Sequence, residues 1–286
     1  MSGEASGARI RHLAGRSEYE AAVALQERIW GENFGERVAP AILQVAQKVG
    51  GVTAGAFAPD GTLVGFVFGI TGIQDGRPVH WSDMLAVLPE WRGRGLSVEL
   101  KAFQRADLLD RNIPIMRWTF DPLEARNAYL NLSRLGAVSR EYVPDMYGAP
   151  TSPLHQGLGT DRLVILWELD TPRTEARLAQ GPPPPGDEEA PPALVAEKAD
   201  GIAPVPREPD PTLVDAAAVT VAVPPDIQGL KAQDPKLALR WREAVRSALR
   251  RYLDLGFEAR ELLRSDEPGI LPRYLLVNPS REEGSP

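Results

Sequence analysis

Between Trp81 and Leu109 the chain passes from an alternating stretch, through a glycine turn, into an amphipathic helix, and this phrase restricts the fold more than any other. Trp81-Ser82-Asp83-Met84-Leu85-Ala86-Val87 alternates in polarity at the period of a strand. Pro89 ends it. Arg92-Gly93-Arg94-Gly95-Leu96-Ser97 then makes a tight basic turn, and Leu96, Leu100, Phe103, Ala106 and Leu109 recur at helical spacing. Glycine lets the backbone adopt φ > 0 and approach a ligand closely. The first N–H groups of the helix have no intrahelical acceptor and lie at the positive end of its dipole. Such a turn is a cradle for an anion.

Three phosphate cradles are compatible with a strand, a glycine turn and a helix. A P-loop requires G-x-x-x-x-G-K-[ST], which does not occur here. A dinucleotide fingerprint requires a third glycine where this chain has Val98. Arg92-x-x-Gly95-x-Ser97, between Leu85-Ala86-Val87 and the helix, with Pro89-Glu90-Trp91-Arg92-Gly93 overlapping it, resembles the R-x-x-G-x-G/A turn of the GNAT superfamily of CoA-dependent N-acyltransferases. Serine takes the last, small position.

The remaining pattern fits that resemblance. Apolar periodicity predicts a strand over 8–14, a helix from Tyr19 to about Trp30 capped by Ser17 and Glu20, and a helix over 38–49 with Ile42, Val45 and Val49 on one face. Strands over 52–58 and 63–70 meet at Pro59-Asp60-Gly61, and a loop over 71–78 leads to the central strand. A strand over 113–120, a helix packing Ala128, Leu132 and Leu135 and closed by Gly136, and strands over 138–143 and 162–169 complete the series. The expected class is α/β (α+β): a GNAT-like mixed, mainly antiparallel sheet flanked by helices over residues 8–170. Residues 119–137 and Asp161-Arg162 also resemble a branch predicted to acylate amino acids, including with succinyl-CoA.

Residues 171–212 contain Pro182-Pro183-Pro184-Pro185 and Pro191-Pro192 among Glu, Asp and Ala, and are expected to form a semi-extended linker with a short helix over 173–179. Residues 213–280 are expected to form a small βαββ unit: a strand over 218–223, a helix started by Asp234-Pro235 and ended by Gly256, and strands over 258–263 and 274–277. Leu135-Gly136-Ala137-Val138-Ser139-Arg140-Glu141 is echoed by Leu255-Gly256-Phe257-Glu258-Ala259-Arg260-Glu261. One reading is a half-copy of the acyltransferase fold without its glycine turn; the other is coincidence.

Composition excludes several classes. A net charge of -7 argues against nucleic acid as a partner and makes the basic turn a local feature. The absence of cysteine removes disulfides, thiolate metal sites and a cysteine nucleophile. His12, His80 and His155 have no ligand spacing, so no metal is expected. No segment is apolar and long enough to span a membrane, and a cytoplasmic location, where acyl-CoA is available, is expected.

The resemblance implies direct attack of an amine on the thioester of acetyl-CoA or succinyl-CoA. The cofactor-binding residues would be Arg92, Gly93, Arg94, Gly95, Leu96 and Ser97 on the diphosphate, with Leu85, Ala86 and Val87 along the pantetheine and thioester. Arg94 reaches a phosphate if its side chain turns inward and is a solvated charge otherwise. Many family members carry a Tyr acid three residues before the helix-ending Leu-Gly; this chain has Leu132 there, leaving Tyr129 and Ser133 as neighbouring candidates. Asp83, His80 and Ser82 are candidate bases on the central strand, Asp83 foremost, and each has an ordinary structural role as its alternative. Arg117 and Arg162 could clamp a carboxylate, or form structural ion pairs. The loop 145–160 is expected to select substrates. The resemblance implies a small-molecule amine, plausibly an amino acid, as acceptor, and a homodimer, since dimers are common in the family. A non-catalytic acyl-CoA sensor is the alternative in a different class.

Overall fold

The computed structural model describes residues 7–282 apart from 33, 149–156, 184–189, 200–201, 208–212, 214, 266 and 268. His155 and the centre of the expected substrate loop lie outside that description. The chain divides into two compact units, one holding residues 7–118 and Trp167–Pro172, the other 119–148, 157–166 and 173–282.

The first unit is built from β1 (Arg9–His12), α1 (Gly15–Trp30), α2 (Pro40–Lys48), β2 (Val52–Phe57), β3 (Leu63–Gln74), β4 (Arg77–Val87), α3 (Leu96–Leu109) and the start of β5 (Ile115–Phe120). Its strands lie in the order β1-β2-β3-β4-β5, antiparallel except for the parallel pair β4–β5. Three local expectations are corrected. Residues 71–78 are not a loop: β3 and β4 continue as a hairpin closed at Asp75-Gly76, both with φ > 0 (51° and 76°), a two-residue turn signal. Helix α1 begins at Gly15 rather than after Ser17, because Glu18, not a Ser17–Glu20 box, accepts from the Ala14 N–H at 2.7 Å. On α2 the buried residues are Leu43 and Ala46, while Ile42, Val45 and Val49 face solvent.

The second unit holds α4 (Ala125–Ala128), which continues as a π-helical turn over Tyr129–Arg134, then β6 (Val138–Val143), β7 (Arg162–Glu168) as far as Leu166, and α5 (Pro172–Gln180) from Arg173. It continues with β8 (Pro192–Ala199), β9 (Ile202–Arg207), β10 (Ala218–Ala222), α6 (Ile227–Gln233), α7 (Pro235–Asp254), β11 (Glu258–Leu263), β12 (Arg273–Val277) and α8 (Pro279–Glu282). The strand order is β7-β6-β11-β12-β10-β8-β9. Ala128, Leu132 and Leu135 are fully buried and Gly136 takes φ 73°, as their spacing predicts. Asp234 caps α7 by accepting from the Leu237 N–H at 3.0 Å, and Ala238, Trp241, Val245, Leu249 and Tyr252 are buried along it.

The expected linker is corrected in part. Pro192 opens β8, where a ring without an N–H costs least, and Ala193 and Leu194 are buried with Leu194 in register beside Val221 of β10. The proline-rich composition therefore hides a strand pair. Nor does packing divide the chain at 170: the Tyr274 hydroxyl donates to the Pro122 carbonyl at 2.7 Å, and Arg242 pairs with Asp121 at 2.7 Å, tying 119–166 to the C-terminal segment within one unit.

Candidate functional site

Pro89–Trp91 form a short 3-10 turn that carries the chain off β4. Arg92 then braces the turn: its Nε donates to the Val87 carbonyl at 3.2 Å. Gly93 and Gly95 both adopt left-handed conformations, φ 79° and 81°, and Gly95 is the N-cap of α3. The N–H groups of Val98 and Glu99 both reach back to the Gly95 carbonyl. Those ahead of them have no intrahelical acceptor. Residues Arg92 to Gly95 are exposed, Ser97 is half-buried, and Leu96 is anchored in the core. The Arg94 guanidinium lies 4.8 Å from the Trp91 ring centroid. The turn is thus open to solvent, cationic, and held from beneath.

On the side away from β3, β4 has no strand partner beyond Trp81 among the described residues. β3 pairs with β4 along its length, from Gly65↔Val87 to Gln74↔Arg77. On the other side the parallel register comprises His80↔Met116 and Trp81↔Arg117. The Leu88 N–H bonds to the Val64 carbonyl. Ladder groups alternate in direction, so Ala86 also faces β3, while the main chain of Leu85 and Val87 faces the other way. Of the three expected contact residues, Leu85 turns its main chain to that side, Val87 turns its N–H there with its carbonyl held by Arg92, and Ala86 faces β3.

Asp83 sits at a β-bulge. Phe68 pairs with Met84 and Gly69 with Ser82, so Asp83 has no partner in the β3–β4 register. Bulges re-aim side chains. Asp83 is an exposed residue whose surroundings still desolvate the carboxyl and, with repulsion from Glu36, push its pKa up.

Behind the bulge, on the side facing α3, lies a buried polar chain that periodicity does not reveal. Lys101 Nζ donates to Ser82 Oγ at 2.8 Å, and Ser82 Oγ donates to Gln104 Oε1 at 3.0 Å. Gln104 Nε2 lies 2.8 Å from His80 Nε2, and His80 Nδ1 lies 2.9 Å from Thr71 Oγ1. Thr71 Oγ1 donates to the Gly50 carbonyl at 2.6 Å, so it must accept from His80 Nδ1–H, leaving Nε2 to accept from Gln104. The donors run one way through the chain, with the imidazole neutral. Burial and the nearby Lys101 and Arg111 push the His80 pKa down to about 3, and burial pushes Lys101 well down. His80 and Ser82 are therefore structural rather than candidate bases. The only hint in sequence is Lys101 and Gln104 at i, i+3 on the buried side of α3.

The other candidates fare unequally. Arg117, half-buried and in register with Trp81, has a buried Nε without a hydrogen-bond acceptor among the described residues. Ser133 is buried, accepts from the Leu262 N–H at 2.9 Å and donates to the Leu262 carbonyl, so its hydroxyl is committed to β11. Tyr129 lies under the Arg264 guanidinium, 4.6 Å from its ring centroid. Arg162 is buried, donating to the Asp161 carbonyl at 2.8 Å and lying 5.1 Å from the Tyr147 ring. That environment is structural, as is that of the neighbouring loop end, where Asp161 accepts from Arg246 and Tyr142. Among the described residues no group of three or more His, Asp or Glu side chains could hold a metal ion, and no helix is long and apolar enough to cross a membrane.

No family model matches this chain, and no curated protein matches it. Solved structures are similar to part of it. The NatC complex bound to Gag peptide and CoA is similar at TM-score 0.46 and 12% identity, over 56% of this chain and 98% of that one. The Escherichia coli ribosomal-protein-S18-alanine N-acetyltransferase is similar at TM-score 0.45 and 15% identity, over 57% and 95%. An aminoglycoside 6'-N-acetyltransferase complexed with coenzyme A is similar at TM-score 0.43 and 12% identity, over 57% and 97%.

Proposed function

We propose that the chain is an acyl-CoA-dependent N-acyltransferase acting on a small amine. The observation that carries this reading is a juxtaposition within the first unit. An exposed cationic glycine turn at a helix start adjoins a strand with no partner on one side beyond Trp81 among the described residues, and that strand carries a bulged carboxylate. A diphosphate suits the turn, through main-chain N–H groups and the charge of Arg92 and Arg94. The amide-bearing pantetheine arm suits an unpaired strand edge, which it can lengthen by one strand. Leu85 and Val87 face that edge, and an outward N–H there stabilises a thioester oxygen as negative charge develops on it.

In the proposed reaction the acceptor nitrogen attacks the thioester carbon. An N–C bond forms, the C–S bond breaks, and the sulfur leaves as thiolate or thiol. Asp83 takes the proton that the acceptor ammonium loses before its nitrogen attacks. The second N–H proton, lost as the tetrahedral adduct collapses, goes to the departing thiolate or to water. The raised pKa of Asp83 suits a base working near neutrality better than an ordinary carboxylate would. Leu132 occupies the position of the family's helix acid, and the buried Ser133 is engaged by Leu262, so no acid from that helix enters the scheme.

The acceptor we favour carries a carboxylate beside its amine. Arg117 lies two residues from Asp83 along the register, and a half-buried guanidinium there suits a carboxylate. An amino acid meets that description; a succinyl donor would use the same arginine. Thiol release from acetyl-CoA and succinyl-CoA across the amino acids and simple amines tests the reading. Turnover on carboxylate-bearing amines supports it. CoA binding without turnover on any of them replaces it with the sensor reading, and no binding removes both.

A further inference from the structure

The two hairpins of the second unit pair in one register pattern, and each follows a helix, short and π-turned before the first and twenty residues long before the second. In the first, Val138, Ser139, Glu141, Tyr142 and Val143 of β6 pair with Leu166, Ile165, Val164, Leu163 and Arg162 of β7. In the second, Glu258, Ala259, Glu261, Leu262 and Leu263 of β11 pair with Val277, Leu276, Leu275, Tyr274 and Arg273 of β12. Both ladders slip at the same step, skipping Arg140 in one and Arg260 in the other. A bulge at the same phase of two hairpins is far more specific than a shared Leu-Gly. Each hairpin also follows a helix ended by a left-handed glycine, Gly136 at φ 73° and Gly256 at φ 86°.

The segments meet about a local two-fold. β6 and β11 are antiparallel neighbours, with Ser139 opposite Ala259. Those two residues occupy the same position in that pattern, three after the glycine. An antiparallel pair joining equivalent positions has a two-fold axis between them, which is the geometry of an isologous contact. Packing across the seam is reciprocal in kind. The first helix reaches β11 through Ser133, whose hydroxyl exchanges hydrogen bonds with both main-chain groups of Leu262. The second helix, α7, reaches the start of β7 through Arg246, which binds Asp161 at 2.6 Å, just before Arg162. Arg140 of β6 pairs with Glu258 of β11 at 2.6 Å.

We infer that residues 235–277 are a second copy of the helix–hairpin unit 125–166, and that this copy occupies in cis the strand edge at which two copies of a shorter chain would join. The copy has lost the polar side chains of the original: Leu262 stands where the first has Tyr142, and Pro272 where it has Asp161. It is a built-in partner surface, not a second site. At this strand edge a pseudo-dimer inside one chain stands in place of the homodimer that the family resemblance implies.

The absence of native cysteine allows a direct test. In S139C/A259C, oxidation of the folded protein should give a disulfide within one chain, at monomer mass. Single-site S139C should remain a monomer under the same oxidant. A covalent S139C dimer would mean that β6 meets the β6 of a second copy, and would overturn the inference. So would a folded double variant that forms no bond or only an interchain one. Because Ser139 is buried, a double-mutant cycle at the seam provides a second route. Glu258 also pairs with Arg260 at 3.1 Å, so neutral variants are used: R140Q and E258Q should each lower the unfolding midpoint, and R140Q/E258Q should lower it by less than their sum, with no change in mass by sedimentation. Strict additivity would separate the two strands and overturn the pairing.

Discussion

The Lys101 amine donates to Ser82 Oγ at 2.8 Å and lies 3.8 Å from the Trp118 ring centroid, with no paired carboxylate among the described residues. Burial holds it well below the ordinary lysine value. The unfolded chain keeps a proton there that the native chain lacks, at every pH between the lowered and the ordinary pKa. Stability therefore rises with pH through that window. K101M should flatten the rise: a urea midpoint that climbs from pH 7 to pH 10 in the parent should climb less in the variant.

His80 acts in the same sense at lower pH. Its pKa falls from 6.5 to about 3 on folding, so its neutral form adds full stability above 6.5. That contribution is lost as pH drops towards 3, and amounts at most to about 5 kcal/mol there. A chemical-denaturation series from pH 7 to pH 4 should show the loss, and H80Q should reduce its slope while lowering stability at pH 7.

Asp83→Asn should lower kcat/KM by about 10² to 10⁴, the usual span for a general base, and leave CoA binding unchanged by calorimetry. In the parent, activity should rise through a pKa above the ordinary aspartate range and vanish as pH falls through it, because only the ionised form accepts a proton. An unchanged rate in D83N would leave proton removal to water.

Gly95→Ala places a side chain at φ 81°, where nothing lies within 4 Å of the new Cβ. The cost is therefore conformational, about 1–2 kcal/mol. The helix start must shift to relieve it, so CoA affinity should drop by more than the melting temperature suggests. Titration calorimetry beside a thermal melt separates the two effects, and the parent should bind one CoA per chain.

Arg242 and Asp121 form a buried ion pair at 2.7 Å. Removing one partner strands the other charge, so D121N or R242M alone should cost about 3–5 kcal/mol. D121N/R242M together should cost less than the sum, and a double-mutant cycle in urea measures the difference.

Local chemistry was legible in the sequence; long-range packing was not. Gly93 and Gly95 announce the turn because only glycine adopts those angles readily, and Asp234-Pro235 announces α7 because capping needs nothing distant. Asp75-Gly76 carried an equally local hairpin signal that the polar residues around it obscured. Lys101 and Gln104 could not be read as core, since a polar residue enters the interior only when partners arrive from elsewhere in the chain. Gly69 shows the same dependence: a Cβ there would stand 2.3 Å from His80 Nε2, a constraint set by the neighbouring strand. Ile42, Val45 and Val49 mislead in the opposite direction, forming an apolar stripe that faces water. Ser133 resembled a catalytic hydroxyl only until its partner, 129 residues later in the chain, was in view.

Strand β9 ends the strand order of the second unit, and it carries Pro204 and Pro206. Trp241 Nε1 takes the Pro204 carbonyl at 3.0 Å. A rim whose imino nitrogens cannot donate, with one acceptor already claimed, is a poor template for a further ribbon. Concentrated solutions should consequently resist fibre growth from this side, and replacing both prolines with valine should turn a self-terminating border into a nucleus for aggregation.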